Sequence, residues 1–340
     1  MMTRVPCLAL LAAGLTYAQQ PPAILRVHRG SITEFTSVPS GMTVYPAKCD
    51  ASGAVYFRSY KRGDVFGATI TKLDGRDQKV VAVDVSKITD SSVAKPQTLK
   101  YTDFAVVSGT IYIPAVNEDE KGYVLRLSAD DGTFQSATAL EDGLYPLKIG
   151  AFASGAFVVI GSKKVREPGA AEATLYSDSV LYDVSGRAVK HLGAIDAEAS
   201  GGKQRAIKPE GLQNLTLELV ESAGSSIYFL QPSAKPFLRI VQEDGTVEPA
   251  RKLWTPGESF VPTSFRALGD SVLVEYVKDP EHDGSLTEFV LYDLSIDRPV
   301  SVHLLDDDVG GAFACYDWRN TYTFISSHSG HRLLITGIVR

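Results

Sequence analysis

An all-β fold of small sheets stacked about an axis is the class this sequence predicts, on three observations. A hairpin motif recurs six times, a second hairpin follows most copies, and no long stretch with helical periodicity interrupts them. The first hairpins read "CDASGAVYFRSY", "FAVVSGTIYIPAV", "GAFASGAFVVIGS", "VESAGSSIYFLQP", "FRALGDSVLVEYV" and "CYDWRNTYTFISS". Five turn at Gly53, Gly109, Gly155, Gly224 and Gly269; the sixth turns at Arg319-Asn320. Gly accepts the positive φ of such turns, and Asn is the next best residue there. The Val, Ile, Tyr and Phe that follow suit a pleated, packed strand.

The second hairpins are "ITKLDGRDQKVVAV", "VLRLSADDGTFQSA", "VLYDVSGRAVKHLG", "FLRIVQEDGTVEPA" and "VLYDLSIDRPVSVH", four of them marked by Asp-Gly or Ser-Gly. One unit is therefore four strands. Successive turns lie 56, 46, 69, 45 and 51 residues apart, the spacing of β-propeller blades. A single four-stranded sheet cannot bury both faces by itself; stacking neighbours around an axis buries them all. Six blades are expected. The last unit, ending "HRLLITGIVR", lacks a fourth strand, and "AILRVHRGSITEF" near the N-terminus can supply it, so the two chain ends are expected to pair and close the ring. A seven-bladed alternative follows if "ILRVHRGSITEF" is itself a hairpin.

The 340 residues carry a net charge of −6, 44% hydrophobic and 22% charged residues. That composition supports a large core and argues against disorder. No basic run suggests nucleic acid as a partner. Residues 1–18 read as a signal peptide: "MMTR" is a basic start, "VPCLALLAAGL" is apolar but too short to span a bilayer, and Thr16 and Ala18 are small residues placed for cleavage after Ala18. Residues 19–23 form a short leader, and residues 24–340 a single propeller. The mature protein is expected outside the cytoplasm, periplasmic or extracellular, without a membrane span, and monomeric.

Export leaves Cys49 and Cys315. Both fall in one column of the hairpin alignment, four positions before the turn, with Ala105, Ala151, Val220 and Phe265. Equivalent positions point the same way around a ring, so the alignment predicts two buried free thiols. The adjacency of first and last blades leaves a Cys49–Cys315 disulfide as the alternative.

The "SGxxY" and "DGx" hairpins quoted above resemble those of exported bacterial β-propeller proteins with repeats of the NHL or YVTN kind. Within that wider group, gluconolactonase-type enzymes hold a divalent metal in the central channel through a Glu and other oxygen ligands. "KPEGLQNL" (residues 208–215) is similar to the Glu-Gly entry to an inner strand there. The resemblance thus implies Glu210 as a channel ligand.

By analogy of fold, a site is expected on the face shared by the interblade connections and the loops between second and third strands. Asp279, in "DPEHDGS", and Asp306, Asp307 and Asp308, in "LDDDVGG", offer carboxylates of the kind a Ca²⁺ ion takes, or they are solvated turn residues. Trp254, in "KLWTPGESF", either stacks on a ligand or closes the core beneath a Pro-Gly turn. "HSGH" places His328 and His331 three apart, with no third zinc ligand beside them. The sequence holds no Gly-x-Ser-x-Gly, His-Glu-x-x-His, Cys-x-x-Cys or phosphate-binding glycine loop. These features favour a non-enzymatic propeller that binds a partner protein, peptide or glycan without a cofactor. A channel-centred, metal-dependent hydrolase of lactonase type is the alternative.

Overall fold

The structure is a computed structural model that describes residues 21–35, 42–50, 52–61, 68–73, 80–166, 173–194, 205–207, 219–280, 285–317, 319–328 and 331–339. The expected signal peptide and Glu210 lie outside these residues.

Strands dominate it. After β1 (Ala23–Phe35), an antiparallel sheet forms from β2 (Met42–Cys49), β3 (Val55–Lys61), β4 (Ala68–Leu73) and β5 (Val80–Val83), in that order. The second contains β6 (Lys100–Tyr101), β7 (Ala105–Val107), β8 (Thr110–Val116), β9 (Gly122–Ser128) and β10 (Phe134–Ala139), with β6 and β7 both on β8. The third has β11 (Leu144–Ala151), β12 (Phe157–Val165), β13 (Thr174–Tyr182) and β14 (Ala188–His191), with β15 (Arg205–Ile207) added to β13. The fourth is β16 (Leu219–Ala223), β17 (Ser226–Leu230), β18 (Phe237–Gln242) and β19 (Arg251–Lys252). Here the expected partner of β18 near Asp244-Gly245 reduces to one bridge, Val241 to Val247, and the fourth strand comes later, at β19.

The remaining strands are β20 (Phe260–Leu268), β21 (Ser271–Lys278), β22 (Thr287–Asp293), β23 (Arg298–Leu305), β24 (Ala312–Tyr316), β25 (Thr321–His328) and β26 (His331–Val339). With β1 they make one eight-stranded sheet, ordered β20-β21-β22-β23-β1-β26-β25-β24. The chain ends pair as expected: β1 runs antiparallel to β26, from Val27 opposite Val339 to Phe35 opposite Arg332. It also runs parallel to β23, Ala23 opposite Ser301. Residues 23–35 are therefore one strand with a bulge between Arg29 and Ile32, not the hairpin of the seven-bladed alternative. Basic residues of β1 meet the acidic run after β23: His28 Nδ1 lies 2.7 Å and Arg26 3.8 Å from Asp306, and Arg29 lies 3.0 Å from Asp308.

The sheets are arranged like a propeller. The first strands β2, β7, β11, β16, β20 and β24 neighbour one another in turn, and β24 returns to β2. Apolar clusters fill the spaces between consecutive sheets. Tyr56, Ile70, Ile113 and Leu125 join the first two. Phe289, Phe313, Tyr322 and Phe324 join the halves of the large sheet. Phe57, Leu73, Ala314 and Ile325 join the last strands to the first sheet.

The two cysteines correct the expectation of free thiols. Cys49 and Cys315 form a disulfide, with Cα atoms 5.4 Å apart. The alignment placed the last turn one residue early. Its left-handed residue is Asn320, φ 58°, matching Gly53, φ 83°. The Asp50 N–H donates to the Ala54 carbonyl, and the Asp317 N–H to that of Thr321, so Asp50 and Asp317 correspond. Cys49 lies one residue before its Asp and Cys315 two before. Side chains alternate along a strand, so this offset turns the two toward each other.

The bond closes a loop of 266 positions. In the chain-entropy account that contributes on the order of 5 kcal/mol. Replacing Cys49 and Cys315 together by Ser is expected to lower Tm by several degrees or more. A non-reducing peptide map should link the two cysteine peptides in the unaltered protein, and calorimetry measures the loss.

Candidate functional site

The first strand of each sheet is a sheet edge that faces the axis, and its sequence shows how the axis is lined. Pro has no N–H to give to a ladder, so it suits an edge or a bulge. "Tyr45-Pro46-Ala47-Lys48" in β2 and "Tyr145-Pro146-Leu147-Lys148" in β11 repeat 100 residues apart, with "Val261-Pro262-Thr263-Ser264" in β20 as a third copy. Each copy bulges, between Val44 and Ala47, between Pro146 and Lys148, and between Pro262 and Ser264. Gly161 faces the second bulge so closely that a Cβ would sit 2.1 Å from the Tyr145 carbonyl oxygen.

Behind these bulges lies an axial cavity of about 280 Å³. Its polar lining is Tyr45, Lys48, Asp103, Lys148, Glu221, Thr263, Ser264, Glu275 and Thr287; Leu219, Val220, Phe265, Val277 and Phe313 are its larger apolar residues. Lys48 reaches from β2 across to two other sheets. Its ammonium lies 3.3 Å from Asp103 Oδ1 and donates to the Val220 carbonyl at 3.3 Å. Asp103 Oδ2 accepts the Ile149 N–H at 3.2 Å. Glu221 is paired with Arg266 of the next first strand.

Glu275, on β21, differs from these. It is 9% exposed and lines the cavity, yet among the described residues its side chain accepts a single hydrogen bond, at Oε2 from Thr263 Oγ1, at 2.9 Å. Burial pushes its carboxyl up to about 7. The Tyr45 phenol lies near Asp103 and Glu275. The cavity thus has a side rich in acceptors.

None of the described candidates from the sequence lines this cavity. Trp254 sits on the connection between β19 and β20, 42% exposed, and its carbonyl accepts the hydroxyls of Tyr276 and Tyr292. Its side bounds a surface hollow with Pro21, Pro22, Tyr292, Arg298 and Pro299. Asp279 is exposed at the end of β21 in a left-handed conformation, its N–H donating to the Ser259 carbonyl. Asp306 and Asp308 are engaged with β1, and Asp307 is exposed between them. His328 and His331 pair across the β25–β26 hairpin, with His331 Nδ1 2.5 Å from Glu34. Among the described residues, no three His, Cys, Asp or Glu converge as metal ligands. Also among them, no helix is long and apolar enough to cross a membrane.

Sequence reasoning missed Lys48, Asp103, Lys148, Glu221 and Glu275. The Tyr-Pro-x-Lys repeat could have found the two lysines. Nothing local marks Glu275, which reads as one polar residue in "VLVEYV".

No known family model matches the chain, and no curated protein matches it significantly. Among solved structures, a Bacteroides caccae protein of unknown function is 10% identical with a TM-score of 0.46, over 78% of this chain and 82% of that one. A luciferin-regenerating enzyme is 10% identical with a TM-score of 0.47, over 91% and 95%. A prolyl endopeptidase structure is 11% identical with a TM-score of 0.40, and the match covers 88% of this chain but only 50% of that one. The fold described above stands on this chain's own strand pairing, and no function is taken from these neighbours.

Glu275 gives the site a pH signature. Its folded pKa, about 7, is above the ordinary value of 4.5, so the folded protein binds the extra proton between those limits. Stability from this group is present below about pH 4.5 and falls as pH rises through 7, by on the order of 3 kcal/mol. Glu275→Gln is expected to raise Tm relative to the parent more at pH 8 than at pH 5, as scanning calorimetry at the two pH values would show.

Proposed function

We propose that the chain is an exported six-bladed β-propeller that binds a partner protein, peptide or glycan through its loop-rich face and the mouth of the axial cavity. The blade count divides the eight-stranded sheet at its one parallel pair, β23 with β1; the other ladders are antiparallel. Export is supported by the residue pattern of positions 1–18 and by the Cys49–Cys315 bond, since disulfides persist in oxidising compartments. The observation that carries the binding reading is the cavity itself. Its ion pairs, Lys48 with Asp103 and Arg266 with Glu221, hold the polar lining in place before any ligand arrives.

A second reading has one observation in its favour. A buried carboxyl titrating near 7 inside a cavity is suited to general acid–base work, so Glu275 could serve a channel-centred hydrolase. This moves the hydrolase centre from Glu210 to Glu275.

Two assays separate the readings. The disulfide-bonded chain from Gln19 onward, probed with peptide and glycan arrays, is expected to show saturable capture of one class, weakened severalfold or more by Trp254→Ala or Asp279→Ala. A panel of esters and lactones tests the hydrolase. Turnover lowered about a hundredfold or more by Glu275→Gln would establish it and displace the binding reading. N-terminal sequencing of the exported product is expected to begin at Gln19.

A further inference from the structure

Glu275 stands apart from the other acidic groups of the cavity. Asp103 has an ammonium and a backbone N–H as partners, and Glu221 has a guanidinium. Among the described residues, the Glu275 carboxylate has one side-chain partner, the Thr263 hydroxyl, and no cation pairs with it where it lines the cavity. Leaving a carboxylate buried and uncompensated is costly, and a cation that enters the cavity removes that cost. The neighbouring wall decides what kind of cation. Leu219, Val220, Phe265 and Val277 give the same cavity an apolar wall. Such a wall suits a short methylene stem ending in an ammonium better than it suits a hydroxyl-rich sugar or a hydrated metal ion.

We infer that the axial cavity takes an alkylammonium group, of the kind a lysine side chain carries, with Glu275 as its counter-ion and Thr263 holding the carboxylate in place. The inference rests on the binding reading above and names the chemistry at its centre. Elevated pKa at Glu275 agrees with a site that waits for its cation. The charged and titratable groups around it are Tyr45, Lys48, Asp103, Lys148, Glu221 and Arg266, from the first strands of five sheets or the segments leading into them. Lys48 is matched by Asp103 and Arg266 by Glu221, and burial and the Thr263 hydroxyl, with no cation, set the state of Glu275.

Nα-acetyl-lysine methylamide is the probe, titrated calorimetrically into the disulfide-bonded chain at pH 8. Its Nε-acetylated analogue, which keeps the stem and loses the charge, and glucosamine, which keeps an amine on a polyol, are the comparisons. Saturable binding of the lysine probe is expected, at least tenfold weaker for both comparisons, and at least tenfold weaker in Glu275→Gln. In carbon NMR, the Glu275 carboxyl should titrate at lower pH with the probe bound. No binding, equal binding of the acetylated analogue, tighter binding of glucosamine, or unchanged affinity in Glu275→Gln overturns the inference. Array capture that persists in Glu275→Gln, without probe binding, would leave the loop-face reading standing and remove only this one. Probe binding without array capture would do the reverse.

Discussion

Closure is the constraint on which the rest depends. Each small sheet has two faces to bury, and only a ring gives every sheet a neighbour on both sides. β1 completes the ring by pairing with β26 and β23 at once. On the axial side the Cys49–Cys315 bond joins the first and last inner strands. The join is therefore held at its outer and inner margins, by backbone pairing in one place and by covalent bonding in the other. The acidic run after β23 belongs to the same device, since Asp306 and Asp308 engage His28, Arg26 and Arg29 of β1.

A ring of sheets leaves its inner strands with one unpaired edge each. Those edges cannot be left dry without partners. Side chains from other inner strands, or from the segments leading into them, supply partners. Lys48 donates to the Val220 carbonyl, Asp103 accepts from the Ile149 N–H, Thr102 donates to the Leu147 carbonyl, and Ser222 accepts from the Ala151 N–H. Much of the charge around the axis is thus engaged in holding the ring together. Glu275 comes from a second strand, β21, and serves no edge. That is the physical reason the proposals above rest on Glu275 and take its charged neighbours as the frame.

The fold was largely legible because its signals are local. Hairpin turns depend on residues such as Gly53 and Asn320 that accept positive φ, and strand runs such as "VYF" and "IYF" depend on side-chain shape. The pairing of the chain ends was legible by counting strands. The site was not. Trp254, Asp279 and the Asp306–Asp308 run stand out in a sequence because they are aromatic or acidic and lie between strands, and the structure puts none of them in the cavity.

By itself, the sequence determined the recurring hairpin turns, the all-β architecture and the joining of the two ends, since each follows from turn chemistry or from strands that need a partner. Tertiary structure alone decided the disulfide and the cavity. A one-residue offset between "CD" and "CYD" reverses which way a side chain points, and it shows only once the last turn is known to centre on Asn320. The axial lining draws Lys48, Asp103, Lys148, Glu221 and Glu275 from five sheets or half-sheets, so their meeting depends on how the ring closes and not on any spacing along the chain.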